Sequence, residues 1–349
     1  MKVLCFVILL VCLGVPMQVY ANQGSLYNRV IILDAGHGLR SPGGVVLEAG
    51  YIEHERMFVL AEFLRDELVS RGATVHMTRK CYNDVPLPVR PALMNLFSLE
   101  ALLDDRLSRL SGIPMLPGER RSLMEEIKRL QTSLYLLNKI IHDHENYAPI
   151  YLNFPFDYTF QRQIHPSWQQ ILEFQSDPLI RYNWLAISLH SNAESSTLAN
   201  GVDVFFSANN NPRNRQYFDG YSHEDNTELF GRMLLERIAP LGLRPNSVSV
   251  RHFMVIRETN VPAVLVENGY HTNYHNRRLL LDDGFMQRLA VAYANTIEAY
   301  FAQINQNEVS NFESIPILRE LNFLFSRGVA DRLRTMLLTI RDRRFTHSP

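Results

Sequence analysis

The chain of 349 residues is 46% hydrophobic and 20% charged, a balance that supports a buried core and excludes an intrinsically disordered polymer. Its 35 basic and 36 acidic residues leave a formal net charge of −1. That excludes a long-range field able to gather nucleic acid or an anionic membrane, so any polyanion contact has to come from a local patch.

Lys2 precedes an apolar run from Val3 to about Val15, and Val19-Tyr20-Ala21 then offers residues of the kind a signal peptidase reads. Residues 1 to 21 are read as a signal peptide. An uncleaved anchor is the alternative, and the run falls short of the roughly 20 apolar residues that a membrane span requires. The expected location is therefore the periplasm or cell envelope. Of the three cysteines, Cys5 and Cys12 fall in the leader. The mature chain keeps Cys81 and can form no internal disulfide, so it depends on its core or on a metal.

Val30 to Leu33 is a β-branched and aliphatic run ending in Asp34-Ala35-Gly36, which predicts a strand buried on both faces followed by a tight turn. From Glu55 to Ser70 the apolar positions Met57, Leu60, Ala61, Leu64 and Leu68 recur at helical spacing, and Gly72 follows to end the helix. Ala73 to Thr78 predicts a second strand. The alternation returns with strands at Trp184 to Leu189, Val202 to Phe206 and Ala263 to Val266, and helices at Asn226 to Ala239 and Asp283 to about Ile304. Strands alternating with helices of this length predict an α/β three-layer sandwich, a mostly parallel central sheet flanked by helices.

Between about residues 96 and 181 the rhythm breaks. Leu123, Ile127, Leu130, Leu134, Leu137 and Ile141 step by threes and fours. This predicts an inserted helical hairpin with arms Phe97 to Leu110 and Glu119 to His142 and a turn from Gly112 to Gly118. Tyr147, Tyr151, Phe154, Phe156, Tyr158, Phe160 and Trp168 follow, a stretch suited to packing the hairpin on the sheet or to walling a ligand cleft. Residues 305 to 349 read as a helical extension with no chemical signature. The expected organisation is thus a leader over 1–21, one catalytic domain over 22–304, and that extension.

Three polar residues stand just beyond predicted buried strands: His37 after the first, His190 after Ala186-Ile187-Ser188-Leu189, and Glu267 after Val264-Leu265-Val266. In open α/β sheets the carboxyl ends of strands are where ligands bind. Two imidazoles with a carboxylate suit zinc, and a catalytic zinc takes three protein ligands while leaving one position for water. Glu53, at the start of the first helix, is the chosen third ligand, with Glu48, His54 and Glu55 as competitors. Asp34 is a candidate partner for a metal-ligating histidine or for backbone donors in the turn. Arg257 is either a clamp for a substrate carboxylate or a solvated surface charge. His252 and His271 are candidates to line the cleft, whereas His142 and His144 suit a helix end and carry no chemistry.

Four segments together resemble the zinc-dependent N-acetylmuramoyl-L-alanine amidases of the three-layer α/β type. They are Val30-Ile31-Ile32-Leu33-Asp34-Ala35-Gly36-His37-Gly38, Gly50-Tyr51-Ile52-Glu53-His54-Glu55, Ile187-Ser188-Leu189-His190-Ser191-Asn192, and Thr259 to Tyr270 around Glu267. They keep the family's order over residues 29 to about 302. The resemblance implies a Zn2+ ion held by His37, Glu53 and His190, with Glu267 as acid and base. Asn192 lies in the second histidine's motif as a further candidate contact. It also implies cleavage of the amide between N-acetylmuramic acid and L-alanine in peptidoglycan, for wall remodelling or daughter-cell separation, by a monomer with no nucleic-acid partner.

One departure stands out. The insertion precedes His190, whereas relatives with a self-blocking helix carry it between the second histidine and the catalytic glutamate. Autoinhibition by the hairpin is therefore a hypothesis, beside that of a protein activator acting through it. Two other readings stay open: a catalytically silent wall-binding or division scaffold, which would be expected to lose one of the four site positions, and another zinc peptidase of similar architecture.

Overall fold

The computed structural model describes residues 24–81, 83–154, 163–208 and 223–313. The leader, Phe156, Tyr158, Phe160 and the extension beyond Glu313 lie outside these described residues. In chain order the elements are β1 (Val30–Ala35), β2 (Val45–Val46), β3 (Tyr51–Ile52), α1 (Glu53–Ser70), β4 (Thr74–Met77), α2 (Val89–Gly112), α3 (Pro117–His142), α4 (His144–Tyr151), α5 (Pro166–Glu173), α6 (Pro178–Asn183), β5 (Trp184–Asn192), β6 (Val202–Phe206), α7 (Glu224–Ile238), β7 (Pro245–Val250), α8 (Met254–Arg257), β8 (Ala263–Tyr270), α9 (Tyr274–Leu281) and α10 (Asp283–Glu313).

Six strands form one sheet in the order β4-β1-β5-β8-β6-β7. β4, β1, β5 and β8 run parallel, while β6 lies antiparallel to β8 and carries β7 parallel to itself. The alternation of side chains along each strand divides the core in two. Ile31, Leu33, Leu185, Ile187, Val264 and Val266 pack with α1, α7 and α10. Ile32, Trp184, Ala186, Ala263 and Leu265 pack with α2, α3 and α5. This is a three-layer α/β sandwich with a mostly parallel sheet, and the hairpin α2–α3 helps build its second helical layer.

Several boundaries differ from the sequence reading for identifiable reasons. The first helix begins at Glu53 instead of Glu55, with both carboxylates in its first turn, where they complement the helix dipole. The hairpin's first arm begins at Val89 instead of Phe97, because Val89, Ala92 and Met94 are buried, the last two in one cluster with Ile32, Trp184 and Ala186 of the sheet. The last helix runs on to Glu313 instead of ending near Ile304. β7 escaped notice, since Pro-Asn-Ser-Val-Ser-Val is a half-polar edge strand lacking the apolar run that marks the buried ones. Among the described residues no helix is long and apolar enough to cross a membrane.

Candidate metal centre and active site

The carboxyl ends of β1, β5 and β8 meet at one edge of the sheet. At the end of β1 the chain turns through Gly36, whose N–H donates to the Leu189 carbonyl at 2.9 Å. His37 follows with φ of 61°. That left-handed conformation costs a non-glycine residue free energy and is found where surrounding structure fixes a functional side chain. Glu53 opens α1 and donates its backbone N–H to the Gly44 carbonyl at 2.8 Å. His190 lies near the end of β5, directly beside Glu267 in the β5–β8 register.

Glu53 Oε1 is the meeting point. It lies 3.3 Å from His37 Nε2 and 3.2 Å from His190 Nδ1. The Ser191 N–H donates to the same oxygen at 2.9 Å, and the Gly44 N–H donates to Oε2 at 2.7 Å. Burial would raise the Glu53 carboxyl, but the hydrogen bonds from His190 and His37 outweigh it and hold the group below the usual carboxylate range. The two rings cross edge to face, 4.8 Å between centroids.

The donor set fits zinc. One ligand atom from each of His37, Glu53 and His190 can be chosen so that all three lie within 4.8 Å of one another. Zn–N and Zn–O bonds of about 2.0–2.2 Å in tetrahedral geometry set ligand atoms about 3.3–3.5 Å apart, close to the 3.2 and 3.3 Å observed. Two imidazole nitrogens and one carboxylate are also a set that catalytic zinc sites use.

Glu267 borders this trio without belonging to it. Burial first, then the negative charges of Glu53 and Asp203, push its carboxyl well above its usual value. Its Oε2 is buried with no hydrogen-bond partner among the described residues. A carboxylate left unpaired in a low-dielectric cleft is poised to take and hold a proton.

Two glycines make room for the ligands. A Cβ at Gly36 would fall 2.3–2.6 Å from the His190 ring, and one at Gly43 2.5 Å from both Glu53 Oε2 and the His37 ring. Gly36→Ala is accordingly expected to displace the His190 imidazole and weaken zinc binding about ten-fold or more, with far-UV circular dichroism unchanged. Competition against a chromophoric chelator measures this, and wild-type affinity would refute the crowding argument.

Asp34 hydrogen-bonds neither His37 nor His190. Its oxygens accept from Thr78 Oγ1, from Arg90 Nη1 at 2.7 Å and from Ser188 Oγ at 2.6 Å, so it serves neither of the two expected roles. The physical reason is strand alternation, which turns Asp34 towards the start of α2. Its influence on the site passes through Arg90, whose other donors go to the Ala35 and His37 carbonyls. Arg257 is no surface charge. It is fully buried and paired with buried Glu258 at 2.9 Å, and it donates to the His252 carbonyl at 2.6 Å.

Asn192 spends its side-chain oxygen on the Ala193 N–H. His271 joins the rim, stacked on Tyr51 and bonded to Ser191 Oγ at 3.0 Å, whereas His252 bonds Ser207 Oγ away from the trio. Of the competitors, Glu48 is exposed, and neither His54 nor Glu55 joins the ligand cluster. Sequence reasoning missed Arg90, Tyr51 and Ser191. It also missed Arg79, which donates to the Ala35 and His54 carbonyls and follows β4 at the same strand edge that identified His37.

The family model for N-acetylmuramoyl-L-alanine amidases matches residues 31–103 and 179–299, more than half of the chain. The outer hairpin through α5 is left unmatched. N-acetylmuramoyl-L-alanine amidase AmiA of Salmonella typhimurium is 35% identical over 77 residues, covering 22% of this chain and 27% of that protein. Probable cell wall amidase LytH of Staphylococcus aureus is 29% identical over 117 residues, covering 33% of this chain and 35% of the relative. The aligned segments thus span about a third or less of these relatives. Among solved structures, an N-acetylmuramoyl-L-alanine amidase from Clostridium difficile 630 aligns over 78% of this chain and 97% of its own, at 14% identity and a TM-score of 0.48. With His37, Glu53, His190 and Glu267 all inside the matched regions, the chain belongs to the N-acetylmuramoyl-L-alanine amidase family.

Proposed function

We propose that this chain is a zinc-dependent hydrolase that cuts the amide between N-acetylmuramic acid and L-alanine in peptidoglycan. The observation that carries the reading is the meeting of His37, Glu53 and His190 at one sheet edge, with Glu267 in register beside His190 and its buried Oε2 without a partner among the described residues. His37 Nε2, His190 Nδ1 and Glu53 Oε1 would hold the ion. Zinc, when bound, supplies a Lewis acid that brings the pKa of a water to about 7 and polarises the lactyl carbonyl.

The chain's own residues do the rest. Glu267 takes the proton of the attacking water and then delivers it to the departing alanine nitrogen. The Gly44 and Ser191 amides fix Glu53, so one ligand oxygen stays aimed at both rings. Arg90 pins the backbone at Ala35 and His37 and so holds the turn that presents the first imidazole.

The reading includes an exported protein with a leader over residues 1–21, acting on the wall as a monomer in remodelling or daughter-cell separation. The catalytic unit is residues 22–304. The hairpin is its regulatory element, through an activator or self-blocking contact. Digestion of purified sacculi with and without a chelator tests the activity. New amino-terminal L-alanine, lost when metal is removed, is the expected product. Release of terminal stem residues instead would make the chain a peptidase, and no released groups at all would make it a binding protein.

A further inference from the structure

The far end of the hairpin has no counterpart to pack against among the described residues. From Leu107 to Ser122 every side chain is exposed or half-buried, and the next buried residue is Leu123. Large apolar side chains stand in solvent there: Leu107 is 42% exposed, Ile113 56% and Leu116 70%. Ile113-Pro114-Met115-Leu116-Pro117 makes the tip a short apolar loop, a cost in water that a globular chain ordinarily avoids by burial.

On the tip itself, residues 107–122, Arg109, Arg120 and Arg121 stand against Glu119. Arg109 lies 3.9 Å from Asp105, and Glu119 accepts the Leu116 N–H at the start of α3. Arg120 and Arg121 have no carboxylate partner among the described residues. Apolar side chains ringed by arginine are what an interfacial contact with anionic lipid requires. A protein whose net charge is only −1 can meet a polyanion through such a patch alone.

α2 starts at the catalytic edge, where Arg90 bonds the His37 carbonyl, and runs about 36 Å at 1.5 Å per residue. On the way Asn95 and Ser98 bond Glu258 and Asn260, before β8, and Arg106 pairs with Asp177, which caps α6, the helix that leads into β5. The tip therefore lies past the amino-terminal ends of the strands, opposite the metal-ligand trio. The chain also enters the described structure at that edge, with the Leu26 N–H on the Arg71 carbonyl ahead of β1 and β4.

We propose that the hairpin tip, residues 107–122, seats on an anionic phospholipid bilayer and so turns the catalytic edge away from the membrane. The lipid contact stands independently of the proposed hydrolysis; the benefit of the orientation, a site facing the wall, rests on it.

The test uses the purified full chain with Cys5, Cys12 and Cys81 replaced by serine and an environment-sensitive fluorophore on Leu116→Cys. A second probe at Leu198→Cys, 83% exposed on the loop after β5, reports the catalytic edge. With phosphatidylglycerol vesicles the Leu116 probe is expected to shift to the blue and to be quenched by nitroxide-labelled acyl chains, while the Leu198 probe stays unchanged. Ile113→Ser should weaken the partition about ten-fold, and Arg120→Gln and Arg121→Gln about five-fold each. No shift at Leu116, an equal shift on neutral phosphatidylcholine, or an equal shift at Leu198 would overturn the proposal. A Leu116 shift that follows protein concentration without lipid would overturn it too, assigning the tip to a second copy of the chain.

Discussion

Glu267→Gln is expected to lower wall hydrolysis about a thousand-fold while leaving one zinc per chain. The magnitude follows from the proposed role: a positioned acid and base contributes about a hundred- to ten-thousand-fold, and the proposal has one carboxyl serve both halves of the reaction. Glutamine keeps the shape and removes the proton acceptor. It should spare the metal, because Glu267 is outside the cluster of His37, Glu53 and His190. His37→Ala or His190→Ala should lose ion and activity together. Muropeptide release measured alongside zinc content separates the two classes, and turnover by Glu267→Gln within ten-fold of wild type would remove Glu267 from the chemistry.

The second large effect concerns stability. Arg90 and Asp34 form an ion pair at 2.7 Å with side chains 6% and 1% exposed. Breaking one partner of such a pair leaves an uncompensated buried charge, so Arg90→Met is expected to cost about 3–5 kcal/mol. The pH dependence gives the test its sign. Burial raises the Asp34 carboxyl, but Arg90 and the hydroxyls of Ser188 and Thr78 outweigh it and leave the group below its ordinary value. Its stabilising contribution is therefore present above the unfolded pKa of about 3.9 and lost as pH falls through the lower folded value. In Arg90→Met burial prevails and ionised Asp34 becomes a liability. Urea melts of the two proteins should differ most at neutral pH and converge below about pH 4. A gap that persists unchanged in acid would mean that Arg90 acts through packing alone.

The legible part of this molecule is the part written in periodicity. Apolar runs, interrupted only by Ser188 in β5, announced β1, β5 and β8, because strands buried on both faces admit few other residues. Polar residues at the ends of those runs then placed His37, His190 and Glu267 at a common edge. Glu53 was less legible, since only the helix start and the family resemblance separated it from Glu48, His54 and Glu55. Its selection in the structure comes from two backbone N–H donors, on Gly44 and Ser191, which no sequence pattern displays.

Arg90 and Arg257 escaped for a related reason. A buried arginine reads like a solvated one until the partner appears, and here the partners are Asp34, 56 positions away in sequence, and adjacent Glu258. The hairpin was visible from its spacing, yet its first arm's reach back to Val89 was not. Residues 89–98 combine apolar contacts with Arg90, Asn95 and Ser98, buried polar groups whose partners include Asp34, Glu258 and Asn260 across the fold.

Zinc titration of the metal-stripped chain tests the central claim most directly. One ion per chain should bind tightly by calorimetry, and His37→Ala, Glu53→Ala and His190→Ala should each abolish that step while Glu267→Gln retains it. A wild-type chain that takes up no zinc, or three variants that bind it as wild type does, would contradict the account.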